Sequence, residues 1–309
     1  MRLVQKYISN VGNTNSVAAG KISTSDNLIA VICNDGVTVS IIHDVGILPG
    51  KSVKVENAIS VALTDDLLVV GTNNESGDHG KVILYTIENY ELMYLLTITP
   101  EDPKAALGYG TAVAIHNLDI VVSSPRAICS DDPLQFGCIH MYKLDGRRVT
   151  SHGIVTNHHE VSGSTYGGYL NFNRGELLVS VIEGNFEDSG LTSYGYTITD
   201  KSLVVASTTK LDTAMCGAGA QLVDLSYKFG NLAVLSRIDG SEETEVTLSI
   251  GRPGENMFGF VNSPETGRNR TNTIALHKDG IFIHDIKDGQ LLLIFLKQTV
   301  NCEEELNYE

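Results

Sequence analysis

The sequence predicts an all-β protein: one β-propeller of six blades, each of about four antiparallel strands, with seven blades as the alternative. Short β-branched and aliphatic runs alternate with Gly, Asn and Asp clusters along the whole chain, which is typical of strands and tight turns. A strand pattern recurs about every 51 residues, the length of a propeller blade. No long segment has helical periodicity, so alternating βα units are not expected.

The repeat is clearest in the second copy. Its strands are expected at Ile59–Leu63, Leu67–Gly71, Gly80–Tyr85 and Glu91–Thr97, and the third copy begins at Tyr109. The other copies are expected to start at Ser16, Tyr166, Gly219 and Thr273, the last with its first strand degraded. Because one blade buries its faces only against its neighbours, six copies in 309 residues must close into a ring.

The two ends of the chain lie outside the six copies. Met1–Ser9 contains Leu3, Val4, Tyr7 and Ile8 and is expected to close the ring as the outer strand of the last blade, or as its edge partner. Residues 301–309 form an acidic tail that is expected to fray. The whole chain, 1–309, is therefore expected to be a single domain.

The best copies also resemble a known repeat. Tyr109-Gly110 is followed by Ser124-Pro125 and by Gly137–Tyr142, and a similar arrangement joins Val69-Val70-Gly71 to Gly80–Tyr85. Over about a third of the chain this pattern resembles the FG-GAP repeat of integrin α-chain propellers and their bacterial relatives.

That resemblance has a limit at the calcium loop, and other propeller classes do not fit. The FG-GAP family often carries a D-x-D-x-D-G loop between the first two strands of a blade. Here the corresponding linkers, residues 64–66 and 116–117, are too short and too poor in carboxylates, so no metal is expected there. Propellers of the WD, kelch and Asp-box types rely on tryptophan, and this chain has none.

Charge and composition exclude several partners and compartments. The net charge is 22 − 37 = −15 without a basic stripe, which argues against nucleic acid. The longest apolar run, Leu291–Leu296, is far too short to insert in a membrane. The start lacks a secretory h-region, and the five cysteines are odd in number and scattered, so an intracellular protein with reduced thiols is expected.

The candidates for catalysis and cofactor binding are weak. His158-His159-Glu160 holds adjacent histidines, which point to opposite faces of a strand, so a solvated loop is the better interpretation. His140 is expected to be a hydrogen-bonded strand histidine. Cys216–Gly219 is Gly-rich, but neither a helix nor a lysine follows to hold a phosphate. No catalytic residue, metal or cofactor is therefore predicted.

Charge placement gives the one candidate binding surface. Residues 72–80, 124–137, 182–192 and 237–245 join the second and third strands of four blades, and equivalent loops share one end of a propeller. They hold eleven acids against Arg126 and Arg237, a sum of 2 − 11 = −9. This acidic loop end predicts a site for a basic protein partner; solvated loops without a partner are the alternative. The predicted binding residues are Asp131, Asp132, Glu187, Asp188, Asp239, Glu242 and Glu243.

The function that follows is non-catalytic. We expect a binding or structural scaffold that presents loop faces to other proteins, as a component of a larger assembly such as an assembled particle. The alternative is a carbohydrate-active hydrolase or lyase on a propeller scaffold. It is disfavoured because the carboxylates cluster in outer loops and few arginines are present to clamp an acidic substrate.

Overall fold

The computed structural model describes most of the chain, and the structural statements below refer to that part. The described residues are 2–13, 21–33, 36–43, 46–73, 79–102, 105–128, 136–156, 165–173, 175–183, 190–198, 203–211, 221–228, 231–239, 244–251, 258–261, 273–287 and 290–299. Within these ranges the chain forms 24 strands and no helix.

The described strands form six antiparallel sheets of four strands each. The first three sheets are β2 (Ile22–Thr24), β3 (Leu28–Cys33), β4 (Gly36–His43) and β5 (Gly46–Lys54); β6 (Ala58–Leu63), β7 (Leu67–Thr72), β8 (Lys81–Glu88) and β9 (Glu91–Ile98); and β10 (Val113–His116), β11 (Asp119–Ser124), β12 (Cys138–Asp145) and β13 (Arg148–Thr156). The fourth and fifth are β14 (Thr165–Asn173), β15 (Glu176–Glu183), β16 (Gly190–Ile198) and β17 (Leu203–Leu211); and β18 (Gln221–Lys228), β19 (Asn231–Asp239), β20 (Thr244–Gly251) and β21 (Phe258–Val261).

The sixth sheet joins the two ends of the chain. It contains β22 (Thr273–His277), β23 (Gly280–Lys287), β24 (Gln290–Thr299) and, outside β24, β1 (Arg2–Asn13). The inner strand of this sheet, Thr273–His277, lies where the last copy of the repeat is expected to begin. The element that the last repeat lacks is its outer strand, and β1 occupies that position.

The first strands of the sheets form the inner wall of a ring. Each of these inner strands (β2, β6, β10, β14, β18 and β22) contacts the next, and β22 contacts β2. Hydrogen bonds between neighbouring repeats join residues 50 positions apart: the Ser60 hydroxyl donates to Gly110 O, and the Ile274 amide donates to Asp224. The β-propeller prediction is confirmed, and this spacing is the structural basis of the sequence repeat.

The cores lie between the sheets. In β11, Ile120 and Val122 pack with Val69 of the second sheet, whereas Val121 packs with Val179 of the fourth. A strand with a sheet on each side buries both of its faces, which explains why runs such as Ile120–Val122 are apolar without alternation.

An aromatic-glycine pair introduces two of the inner strands. Tyr109 and Tyr166 are fully buried. The following Gly110 and Gly167 have φ of +85° and +84°, in the left-handed region that glycine adopts without strain. The pair therefore turns the chain into the ring while it anchors a tyrosine between two sheets.

Candidate functional site

The ring has a central channel that is a candidate ligand-binding site. A cavity of about 140 Å³ lies inside the ring and is lined by residues from all six inner strands. Its wall combines apolar residues, such as Val61, Val113 and Ala275, with nearly as many polar ones, such as Asn171 and Asp224. Clefts with convergent polar groups commonly hold ligands, so the bonding of these groups decides what the channel can do.

The end at which the inner strands begin holds an ion pair. Lys21 Nζ donates to Asp224 Oδ1 at 2.9 Å and lies 5.3 Å from the centre of the Tyr169 ring. The second carboxylate oxygen of Asp224 accepts the Ile274 amide at 2.9 Å. Burial disfavours the charge of Lys21, but Asp224 and Tyr169 together outweigh this effect and hold the pKa of Lys21 above its ordinary value. The cluster thus ties together the first, fourth, fifth and sixth sheets.

The opposite end, where the inner strands turn into the second strands, is cross-linked as well. Thr24 Oγ1 donates to Leu276 O at 2.5 Å, and the Leu276 amide donates to Ser226 Oγ at 3.0 Å. The Lys228 ammonium donates to Thr24 O. Burial lowers the pKa of Lys228 to about 8, against the opposing effect of Asp26 and Asp65.

His277 stands beside this end and is neutral. Its Nε2 lies 3.1 Å from Asp26 O, and its Nδ1 accepts the Asp279 amide at 3.2 Å. A carbonyl oxygen can only accept, so the proton resides on Nε2. Burial lowers the pKa of His277, although the bond to Asp26 O opposes this.

The channel holds little catalytic chemistry among the described residues. Asp224 is the carboxylate in its wall, and it is already paired on both oxygens. Glycoside hydrolysis uses two carboxyl groups about 5–9.5 Å apart, and the described wall does not supply the second. In the described ranges, no group of three or more His, Cys, Asp or Glu side chains could hold a metal ion.

A serine–histidine pair in the third sheet has the right atoms for nucleophilic catalysis but the wrong surroundings. His140 Nε2 lies 3.0 Å from Ser124 Oγ and 3.0 Å from Ala105 O. Because Ala105 O must accept, Nε2 carries the proton and cannot serve as a base for Ser124. Ser124 is 0% exposed, and burial lowers the pKa of His140 to about 4. His140 is therefore a hydrogen-bonded histidine inside the sheet, as the sequence indicates.

The predicted acidic loop end is described only in part. The strands that flank its loops are the second and third strands of the second to fifth sheets. Asp239 ends β19 and pairs with Thr244 of β20. The other predicted binding residues lie outside the described residues: Asp131, Asp132, Glu187, Asp188, Glu242 and Glu243. His158-His159-Glu160, Cys216–Gly219 and the tail 301–309 lie outside them as well.

Exposed apolar side chains on the outer strands form a surface that sequence reasoning missed. Tyr90, Met93 and Tyr94 are 56%, 43% and 61% exposed, all within the turn and strand at the outer edge of the second sheet. The composition of β9 could have predicted an exposed apolar edge, because the strand has one charged residue and no Lys, Arg, Pro or Gly.

Comparisons with known proteins support the fold. No family model matches the chain, and no curated protein matches it. Among solved structures, SapL1 lectin in complex with alpha methyl fucoside is 11% identical with a TM-score of 0.51 over 92% of this chain and 97% of that chain. A glucose dehydrogenase from Thermus thermophilus is 12% identical, with a TM-score of 0.49 over 96% and 100%. The β-propeller domain of the Trilobed protease from Pyrococcus furiosus is 10% identical, with a TM-score of 0.48 over 94% and 98%.

These similarities concern architecture. At 11% identity the similarity to SapL1 lectin concerns the fold alone and leaves the FG-GAP type, the substrate and the partner open. Within the described residues, no helix is long and apolar enough to cross a membrane.

Proposed function

We propose that the protein is a non-catalytic binding or structural scaffold, a propeller that presents its surfaces to other proteins within a larger assembly. The bonding inside the channel carries the proposal. Four polar residues in the wall bond to groups of neighbouring sheets: Asp224, Ser226, Thr24 and Lys21. Groups engaged in this way hold the ring together, which leaves its outer surfaces for recognition.

The acidic loop end is the proposed recognition surface. Its loops contribute −9 to a net charge of −15, and concentrated charge of one sign accelerates association with a partner of the opposite sign. The proposed binding residues are Asp131, Asp132, Glu187, Asp188, Asp239, Glu242 and Glu243, and the proposed partner is a basic protein surface.

Charge neutralisation tests this function. Partners captured from cells that contain the protein are compared between the wild type and a variant with D131N, D132N, E187Q, D188N, E242Q and E243Q. The variant should associate more slowly and the wild type should lose partners as salt rises, while the melting temperature stays unchanged because exposed charges add little to folding. A matched control neutralises Asp66 and Asp145, exposed acids in turns at the other end of the ring. Partners that persist through neutralisation and high salt would leave the loops as merely solvated.

The alternative is a carbohydrate-active hydrolase or lyase, and the channel is the feature that favours it. Asp224 lies in a cavity wall with Lys21 and Tyr169 beside it, a combination of acid, cation and aromatic ring found in sugar sites. If this alternative holds, D224N should abolish turnover of a glycan by the purified protein without removing its captured partners. Absence of turnover across a broad glycan panel would reject it.

We infer further that the repeat is of the FG-GAP type. Support comes from Tyr109-Gly110 and Tyr166-Gly167, which share a fully buried ring and a left-handed glycine at the entry to an inner strand. Exchange of either glycine for alanine should destabilise the fold, because the added methyl group would be strained in that conformation.

A further inference from the structure

The outer strands differ in how well their free edges are guarded. Exposed edges invite pairing with another chain, and proteins usually block them with lysine, proline, glycine or a bend. β5 carries Pro49, Lys51 and Lys54, and β13 carries Arg148, His152 and Gly153. β9 (Glu91–Ile98) has none of these residues over eight positions, and no described strand pairs with its outer edge. All three strands share an irregularity of register with the strand inside them, so the bend does not distinguish them. Among the outer strands with described side chains, β9 is the one without a blocking residue.

Both faces of β9 expose apolar side chains at this edge. Tyr94 pairs across the sheet with Tyr85, their rings 6.2 Å apart, and Tyr85 belongs to the core between the first and second sheets. Met93 pairs with Thr86 and so lies on the opposite face. A fifth strand added beside β9 would bring alternate side chains against Tyr94 on one face and Met93 on the other.

The turn before β9 adds a strained aromatic residue. Asn89 and Tyr90 connect β8 to β9 with φ of 51° and 64°, the left-handed region. In the two-residue turn of the third sheet, Gly146 takes the position of Asn89 with φ of 58°, whereas Arg147, at the position of Tyr90, lies outside that region. Tyrosine is disfavoured there, and the ring is 56% exposed, so folding gains little from it. Tyr90 therefore strains the turn and contributes little to folding, and a role in binding would explain why tyrosine stands there.

Charge indicates which partner fits. Glu88 and Glu91 flank the turn, and of these Glu91 is paired with Lys51 at 2.7 Å. The chain as a whole carries −15, which disfavours a second copy of itself, and tyrosine faces attract guanidinium and ammonium groups.

We propose that the outer edge of β9 binds an extended, basic and apolar segment of a partner protein, which adds to the second sheet as a fifth strand. The proposal rests on the proposed function in treating the ring as a protein-binding platform. It uses a surface formed by Tyr90, Met93 and Tyr94 and not the acidic loop end.

A random nonapeptide library selected against the full chain provides the test. Enriched sequences should alternate apolar residues with Lys or Arg. Affinity of the leading synthetic peptide is then measured by fluorescence anisotropy for wild type, Y94T, Y90G and the control I154T, which alters an exposed apolar residue on the outer strand of the third sheet. Y94T and Y90G should each weaken binding at least about tenfold, and I154T should leave it unchanged.

Two measurements distinguish strand addition from non-specific hydrophobic binding. Y90G should bind worse although it melts at the same or a higher temperature, because glycine relieves the strained turn. N-methylation of alternate peptide amides should abolish binding for the set that faces β9 and spare the other set, since strand addition uses one set of backbone groups.

Several results would overturn the proposal. The proposal is wrong if no peptides are enriched or if the enriched peptides are acidic. It is also wrong if peptides methylated on either set of amides still bind, or if Y94T and Y90G bind the leading peptide as tightly as wild type does. Self-association of the chain that Y94T removes, without peptide enrichment, would identify a second copy as the occupant. If neutralisation of the acidic loops abolishes peptide binding and Y94T does not affect it, the peptide binds at the acidic loop end and not at β9. Conversely, binding at β9 can succeed even where the loop-end proposal fails.

Discussion

The substitution D224A tests how the channel holds the ring. Asp224 is 5% exposed and bonds to the Lys21 ammonium and to the Ile274 amide, each at 2.9 Å. Alanine leaves a cation without its counter-ion and a buried amide without an acceptor, at a point where the fifth sheet meets the sixth.

The expected loss follows from those two contacts. Removing one member of a buried ion pair costs about 3–5 kcal/mol, but the Lys21 side chain is 38% exposed and water can replace part of the bond. An unpaired buried amide adds about 1–3 kcal/mol. We expect D224A to lower the free energy of unfolding by about 3 kcal/mol, which corresponds to a fall in melting temperature of roughly 6 °C.

Urea denaturation followed by far-ultraviolet circular dichroism measures this loss. D224N should lose about half as much, because the amide oxygen still accepts from Ile274. K21M should fall between wild type and D224A, and the double variant K21M/D224A should lose less than the sum of the two single variants. A D224A variant within about 0.5 kcal/mol of wild type, or strict additivity with K21M, would refute the view that this pair fastens the ring.

Two further predictions concern a buried histidine and the closure of the ring. Since the pKa of His140 is about 4 in the fold and 6.5 ordinarily, its stabilising contribution is complete above pH 6.5 and is lost as the pH falls toward 4, by about 3 kcal/mol in all. The difference in unfolding free energy between wild type and H140Q should shrink over that window, and a constant difference would show that His140 is not buried and neutral. Deletion of residues 1–13 removes the antiparallel partner of β24 and should lower stability by several kcal/mol and promote aggregation through the freed edge. An unchanged melting temperature and unchanged light scattering would mean that β1 does not close the sixth sheet.

Much of the architecture is readable from local pattern. Strand runs such as Leu67–Gly71 and Ile120–Val122 are apolar because sheets cover both of their faces, and the repeat of about 51 residues reflects bonds between residues 50 apart. The first strand of the last copy, Thr273–His277, begins where the repeat places it. The N-terminal segment that the sequence assigns to the edge of the last blade contains β1, which pairs with β24 in the sixth sheet.

The site was harder to predict, because it depends on contacts between distant repeats. Lys21 and Asp224 are 203 positions apart and meet only when the ring closes, so no local sequence motif predicts the pair. Tyr94 looks in the sequence like an ordinary strand residue; its exposure follows from the position of β9 at the outer edge of the sheet. Ser124 and His140 are 16 positions apart, and only the bond to Ala105 O shows that the pair is structural.

We propose that the channel groups hold the ring while the exterior of the propeller carries the function. Partners are captured quantitatively with wild type and with K21M/D224N, at a temperature where circular dichroism shows both to be folded. Both proteins should capture the same partners in the same proportions, and the variant should melt at a lower temperature. If K21M/D224N loses a partner or a bound small molecule that the variant with neutralised acidic loops retains, the function lies inside the channel and the proposal is wrong.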